Sequence, residues 1–206
     1  MPRQVDHTDR RCRIAEAVCR LADERGLEGV TLRDVAACAQ VSMGAVQRCF
    51  RTKEEMLVFA LGHIGERIGE RVRARLVRSP AQSAGTALGH AVTELSLLRE
   101  EHRAEARVWL AFIAQAAVSE PLAGMLRANY ASLQEAFTRL ITEAGDGSDR
   151  AASLDPQREA RTLLALADGL TAHVLIGHLT RQEAQDVLHA HLAGLWGQPV
   201  PLPRAD

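Results

Sequence analysis

Apolar residues recur three and four positions apart along almost the whole chain, and stretches that alternate in the period of a strand are nearly absent. This pattern predicts an all-α protein of about nine helices. A first helix is expected over residues 9–25, with Thr8 as N-cap, Ile14, Val18 and Leu21 on one face and Gly26 as its stop. Thr31-Leu32-Arg33-Asp34 opens a short second helix reaching about Ala39, and Ser42 caps a third, Met43 to Cys49, after the tight link Gln40-Val41. Two short helices joined by so small a turn form a helix-turn-helix. Thr52-Lys53-Glu54-Glu55 is another capping box, opening a helix expected to reach Val77, about 35 Å long at 1.5 Å per residue, and to end at Ser79-Pro80. Five more helices are expected over residues 81–98, 101–118, 121–144, 156–178 and 181–196. Ser119, Asp155 and Thr180 read as their N-caps, and Gly145 to Asp149 reads as a flexible loop.

Composition narrows the class. With 47% hydrophobic and 25% charged residues over 206 positions, the chain can bury a sizeable core and is not of disordered type. The start Met1-Pro2-Arg3-Gln4-Val5-Asp6 carries no apolar signal core, and the most apolar stretch, residues 163–179, contains Asp168, His173 and His178, so a cytoplasmic protein without a membrane partner is expected. Cys12, Cys19, Cys38 and Cys49 lie in the first quarter without a CxxC pair, which predicts reduced thiols. The net charge of −1 conceals an asymmetry: residues 1–53 carry +3 and the remainder −4, so the N-terminal end is the one suited to face phosphate.

The helix-turn-helix carries the clearest chemistry. Thr31 and Ser42 each place a hydroxyl and free backbone N–H groups at a helix N-terminus, a natural seat for a DNA phosphate. Gly44 permits close approach to the duplex, and Val35, Ala36, Val41, Val46 and Phe50 are expected to hold the two helices together. Met43, Ala45, Gln47 and Arg48 are expected to face the major groove, with Gln47 and Arg48 able to make paired hydrogen bonds to adenine or guanine.

The run from Thr31 to Leu57, with its Thr-x-x-Asp-x-Ala opening, Val-Ser-x-Gly turn, Phe50 and Lys-Glu-Glu-x-Leu continuation, resembles the DNA-binding signature of the TetR/AcrR repressor family. The resemblance covers residues 8–60. It implies a phosphate contact from Lys53, the only lysine in the chain. Gln47 stands where the family commonly has Tyr, and Cys49 where it often has His, so the usual aromatic phosphate contact is absent, and a backbone contact is the alternative to a base contact for Gln47. The Ala-Val-Gln-x-x-Phe variant, Trp109-Leu-Ala-Phe112 and Ala167-Asp-Gly-Leu170 are similar to the BetI-like branch. The expected organisation is a DNA-binding domain over residues 1–53 and a ligand-binding and dimerisation domain over 54–206.

Two sets of residues are expected to matter in the C-terminal part. Trp109, Phe112, Ile113, Ala116, Met125, Asn129, Tyr130, Phe137, Asp168 and Thr171 combine rare aromatics and a methionine with a few embedded polar groups, the make-up of a pocket for a mostly apolar molecule. Asp168, the one embedded acid, points to a cation. The last two helices are apolar nearly all round, and the resemblance implies a four-helix homodimer interface using Leu164, Thr171, Val174, Leu175, Leu188, His191, Leu192 and Leu195. No paired-ligand histidine spacing, cofactor motif or catalytic constellation occurs, so neither a metal nor a cofactor is expected. The reading is a ligand-responsive repressor, bound as a homodimer to a pseudo-palindromic duplex operator and released by a small-molecule effector. A helical enzyme or carrier that does not bind DNA is the alternative, which a mobility-shift experiment would separate.

Overall fold

A computed structural model describes residues 2–78, 83–145 and 154–195. Among them are nine α-helices: α1 (Pro2–Arg25), α2 (Leu32–Cys38), α3 (Met43–Cys49), α4 (Lys53–Arg78), α5 (Ala84–Leu95), α6 (Arg103–Ala116), α7 (Glu120–Gly145), α8 (Pro156–Leu175) and α9 (Arg181–Leu195). A single 3-10 turn, Glu100–His102, leads into α6. The all-α reading thus holds.

Several boundaries differ from the expected ones, each for a local reason. α1 begins at Pro2 rather than after Thr8, because proline suits a first helical position and nothing before Asp9 breaks the helix. Ser83, not a residue near Ala81, caps α5, its hydroxyl accepting from the Thr86 N–H. That helix stops at Leu95 because Leu97 enters the left-handed region at φ 49. α8 stops at Leu175 rather than His178. Gly177, at φ 75, terminates it while the His178 N–H returns to the His173 carbonyl, the glycine-dependent closure common at helix ends. The expected loop after Gly145, the Ser79-Pro80 stop and Trp196 lie outside the described residues.

The chain divides into two compact units, one of residues 1–69 and 103–129, the other of residues 70–102 and 130–206. In the first, α1 packs against α2, α3 and α6. Ile14, Val18, Val30, Val35, Val46, Phe50, Met56, Leu61 and Phe112 are essentially without solvent contact. Asp23 on α1 accepts two hydrogen bonds from Arg107 on α6, at 2.6 and 3.1 Å, a paired geometry that fixes the two helices in register. In the second unit, α8 packs against α5 and α9 around Leu88, Val92, Phe137, Ile141, Leu163, Leu170 and Leu188. The buried Thr171 hydroxyl donates to the Ser96 carbonyl at 2.6 Å and the Ala167 carbonyl at 2.8 Å, tying α8 to the end of α5.

All four cysteines carry free thiols, Cys49 buried and the others half-buried. Burial pushes the Cys19 thiol up to about 12, so thiolate is scarce at pH 8. Iodoacetamide at that pH is expected to spare Cys19 in the folded protein and to modify it after unfolding, as peptide mass spectrometry would read.

Candidate nucleic-acid interface

The α2–turn–α3 segment is built by short-range capping. Thr31 is extended (φ −111, ψ 153); its hydroxyl accepts from the Asp34 N–H at 3.2 Å and donates to the Asp34 carboxylate at 2.8 Å. Ser42, also extended, accepts the Ala45 N–H at 3.2 Å and opens α3. Each such cap stabilises its helix by about 1 kcal/mol. Between the helices the Val41 N–H returns to the Ala36 carbonyl at 3.0 Å while Gln40 turns the chain at φ 55. A side chain in that region is strained where glycine is not. Gln40→Gly is therefore expected to leave stability unchanged or raise it by up to about 1 kcal/mol, measured as a higher thermal midpoint.

α3 divides cleanly into two faces. Ala45, Val46 and Cys49 are buried, whereas Met43, Gln47 and Arg48 are exposed on the outer side. Ala45, expected to face the groove, is thus corrected: at 7% exposure its methyl group is turned into the domain, on the same side as Cys49 four residues later. Gly44 has an ordinary negative φ, and a Cβ built there would touch only the Arg48 guanidinium, at 3.6 Å. Among the described residues, nothing requires a glycine at this position.

The neighbouring elements support this edge. The Arg51 N–H donates to Glu55 Oε2 at 2.8 Å and the Glu55 N–H to Thr52 Oγ1 at 3.0 Å, the expected capping box at the start of α4. Lys53 is half-buried, and its Nζ reaches the Glu28 carbonyl at 3.4 Å. Sequence reading missed the long-range pairing of Arg20 on α1. Its Nη2 donates to the Cys38 carbonyl at 3.2 Å and its Nε to Cys38 Sγ at 3.4 Å, satisfying the end of α2 beside the turn.

The residues expected to meet a small molecule fall in both units. In the first, Phe112 has no exposure, Trp109 and Ala116 are buried, and Ile113, Met125 and Asn129 are half-buried. In the second, Phe137 is buried and the half-buried Tyr130 and Asp168 meet, the Tyr130 hydroxyl donating to Asp168 Oδ2 at 2.5 Å. Thr171 is buried with its hydroxyl on the two carbonyls named above.

The residues expected at a dimer interface also separate by exposure. Leu164, Thr171, Leu188 and Leu195 are already buried within one chain, while Val174, Leu175 and Leu192 remain half-exposed. His191 pairs with Glu159 of α8, Nε2 to Oε1 at 2.5 Å. Beside them Ile176 is 77% exposed and Val187 44%, the latter in an open groove with Ala165, Gly169, His173 and His178.

A capped helix-turn-helix with one exposed outer face, followed by further helices, defines a regulator of transcription. The model for bacterial regulatory proteins of the tetR family matches residues 14–58, and that for the BetI-type transcriptional repressor C-terminal domain matches residues 84–197. The HTH-type transcriptional regulator PksA of Bacillus subtilis is 33% identical over 178 residues, covering 85% of this chain and 83% of that one. A transcriptional regulator from Rhodococcus sp. Rha1 superposes with a TM-score of 0.78 at 30% identity, over 92% of this chain and 98% of its own. A regulator from Saccharomonospora viridis, crystallised in complex with choline, gives 0.77 at 23% identity, over 89% and 95%. The chain belongs to the TetR family of bacterial transcriptional regulators, with a BetI-type C-terminal region. It is a regulator rather than an enzyme.

Proposed function

We propose that the chain is a repressor that binds a pseudo-palindromic operator as a homodimer in the cytoplasm and lets go when a small molecule occupies its C-terminal part. The observation that carries the DNA-reading half is the outer face of α3, where Met43, Gln47 and Arg48 are exposed beside a glycine that nothing among the described residues requires. Thr31 and Ser42 present the N-termini of α2 and α3 to phosphate, and Lys53 adds a phosphate contact once its weak bond to Glu28 is exchanged. Residues 1–53 serve as the DNA-binding part and the rest as the sensing and pairing part.

A second copy is the partner of the α8–α9 face. The exposed Ile176 and Val187 and the half-exposed Val174, Leu175 and Leu192 form the apolar surface it covers. The effector is a mostly apolar cation. Asp168 supplies the charge, with Tyr130 holding the carboxylate in place, and choline is the natural first probe.

Arg48 and Lys53 should fail differently. A bidentate arginine discriminates guanine by about 1–3 kcal/mol, so Arg48→Ala is expected to relax base preference. Lys53→Ala should instead weaken all sequences alike and lower the salt slope by about 1.8, or about 0.9 from each copy of the dimer. Titration of a panel of duplexes at several salt concentrations tests this. Uniform weakening by Arg48→Ala would remove it as a base reader.

A further inference from the structure

Beyond the residues that would touch DNA, one cation in the first unit occupies an unusual place. Arg11, in the middle of α1, lays its guanidinium over two rings, its Cζ 4.7 Å from the centre of Phe50 and 4.3 Å from that of Phe59. The two rings meet each other at 5.4 Å with planes tilted by 53°. Its Nε is buried and has no hydrogen-bond partner among the described residues. Withdrawing a charged nitrogen from water without an acceptor is costly. The two ring faces, negative at their centres, are what compensates it here.

The location gives this contact a consequence. Phe50 is the C-cap of α3, where the backbone leaves the helix in extended form (φ −141, ψ 125), and its side chain is 1% exposed. Phe59 lies on α4. One guanidinium therefore joins α1 to the C-cap of the helix proposed to read bases and to the helix that follows it. A planar cation held against two ring faces fixes an angle, which an aliphatic side chain of similar length does not. The outer face of α3 offers Gln47 and Arg48 to the groove, so the angle of that helix decides whether they reach base edges.

We infer that Arg11 is a positioning residue for operator recognition: held against the faces of Phe50 and Phe59, it sets the angle of α3 without touching DNA. The inference rests on the proposed DNA-reading role of α3. It requires that the loss of Arg11 spare phosphate binding and affect only the affinity that depends on sequence.

The probe is a duplex selected from a random pool by the wild-type protein, with a scrambled duplex beside it. Arg11→Gln is expected to bind the selected duplex roughly tenfold more weakly, in keeping with a desolvated cation–π contact, and the scrambled one unchanged. Its salt slope should equal that of wild type, because no phosphate contact is lost. Arg11→Lys, which keeps the cation but not the plane, should recover only part of the affinity. Arg13→Gln, the same charge change at an exposed site of α1, should bind like wild type. Phe59→Leu should reproduce part of the Arg11→Gln loss, and the double variant should be no worse than Arg11→Gln alone.

Equal binding by Arg11→Gln and Arg13→Gln overturns the inference, as does a slope lowered by about 1.8, which marks one phosphate contact from each copy. If Arg11→Gln proves unfolded, Phe59→Leu and Arg11→Lys decide. Full affinity and specificity in Phe59→Leu overturns the inference. Failure of the wild type to select any duplex removes the DNA-reading role itself, a result distinct from all of these.

Discussion

Gly44→Leu is expected to weaken specific operator binding severely while leaving the protein folded. Among the described residues the added Cβ meets only the far end of Arg48, so no core atom must move. Replacing glycine in a helix also favours the helix by up to about 1 kcal/mol. On DNA, however, the new side chain stands on the outer face of α3, in the space through which the helix approaches the groove. A spoiled half-site contact costs about 1–3 kcal/mol, and a two-fold dimer presents the change twice. The sum is about 2–6 kcal/mol, or roughly 30-fold to 10⁴-fold in affinity. Circular dichroism melting and fluorescence anisotropy on the same samples test both halves. A midpoint several degrees lower would assign the glycine to the fold instead.

Val187→Glu should be as damaging by another route. Val187 is 44% exposed on α9, so a carboxylate there costs the isolated chain little. In a dimer closed over the α8–α9 face the same carboxylate would be buried against apolar surface and lie close to its own copy. An uncompensated buried charge costs about 3 kcal/mol or more, which raises the dimer dissociation constant at least roughly 100-fold. Operator binding, which needs both half-sites, should fall with it. Sedimentation velocity would give a monomer; an unchanged dimer would place the interface on another face.

What the sequence made legible follows the range of the interactions involved. The caps at Thr31, Ser42, Thr52 and Asp155 act within three residues, so residue type and spacing suffice to place them. α3 was placed correctly for the same reason. Ala45 is the exception: the 100° step of a helix puts it on the side of Val46 and Cys49, and a lone methyl group carries no polarity that marks its face. The ends of α5 and α8 were overrun because an apolar run continues past them, while the stops depend on single left-handed residues, Leu97 and Gly177.

Long-range pairs were closed to sequence reading. Tyr130 and Asp168 were each singled out, but their bond spans 38 residues and no local pattern announces it. Thr171 to Ser96, over 75 residues, and Arg107 to Asp23, over 84, are of the same kind. The Arg11 contact was missed because arginine near a chain's start reads as ordinary surface charge. The two rings that hold it, at positions 50 and 59, come together with it only in the folded unit.

The central claim is that two copies of α3 read one operator. A hydroxyl-radical footprint of the wild-type protein on its selected duplex tests this most directly. Two protected half-sites are predicted, related by a two-fold axis and centred about 34 Å apart or a multiple of it, one per recognition helix. Protection of a single half-site without symmetry, by a protein at full activity, would contradict the account.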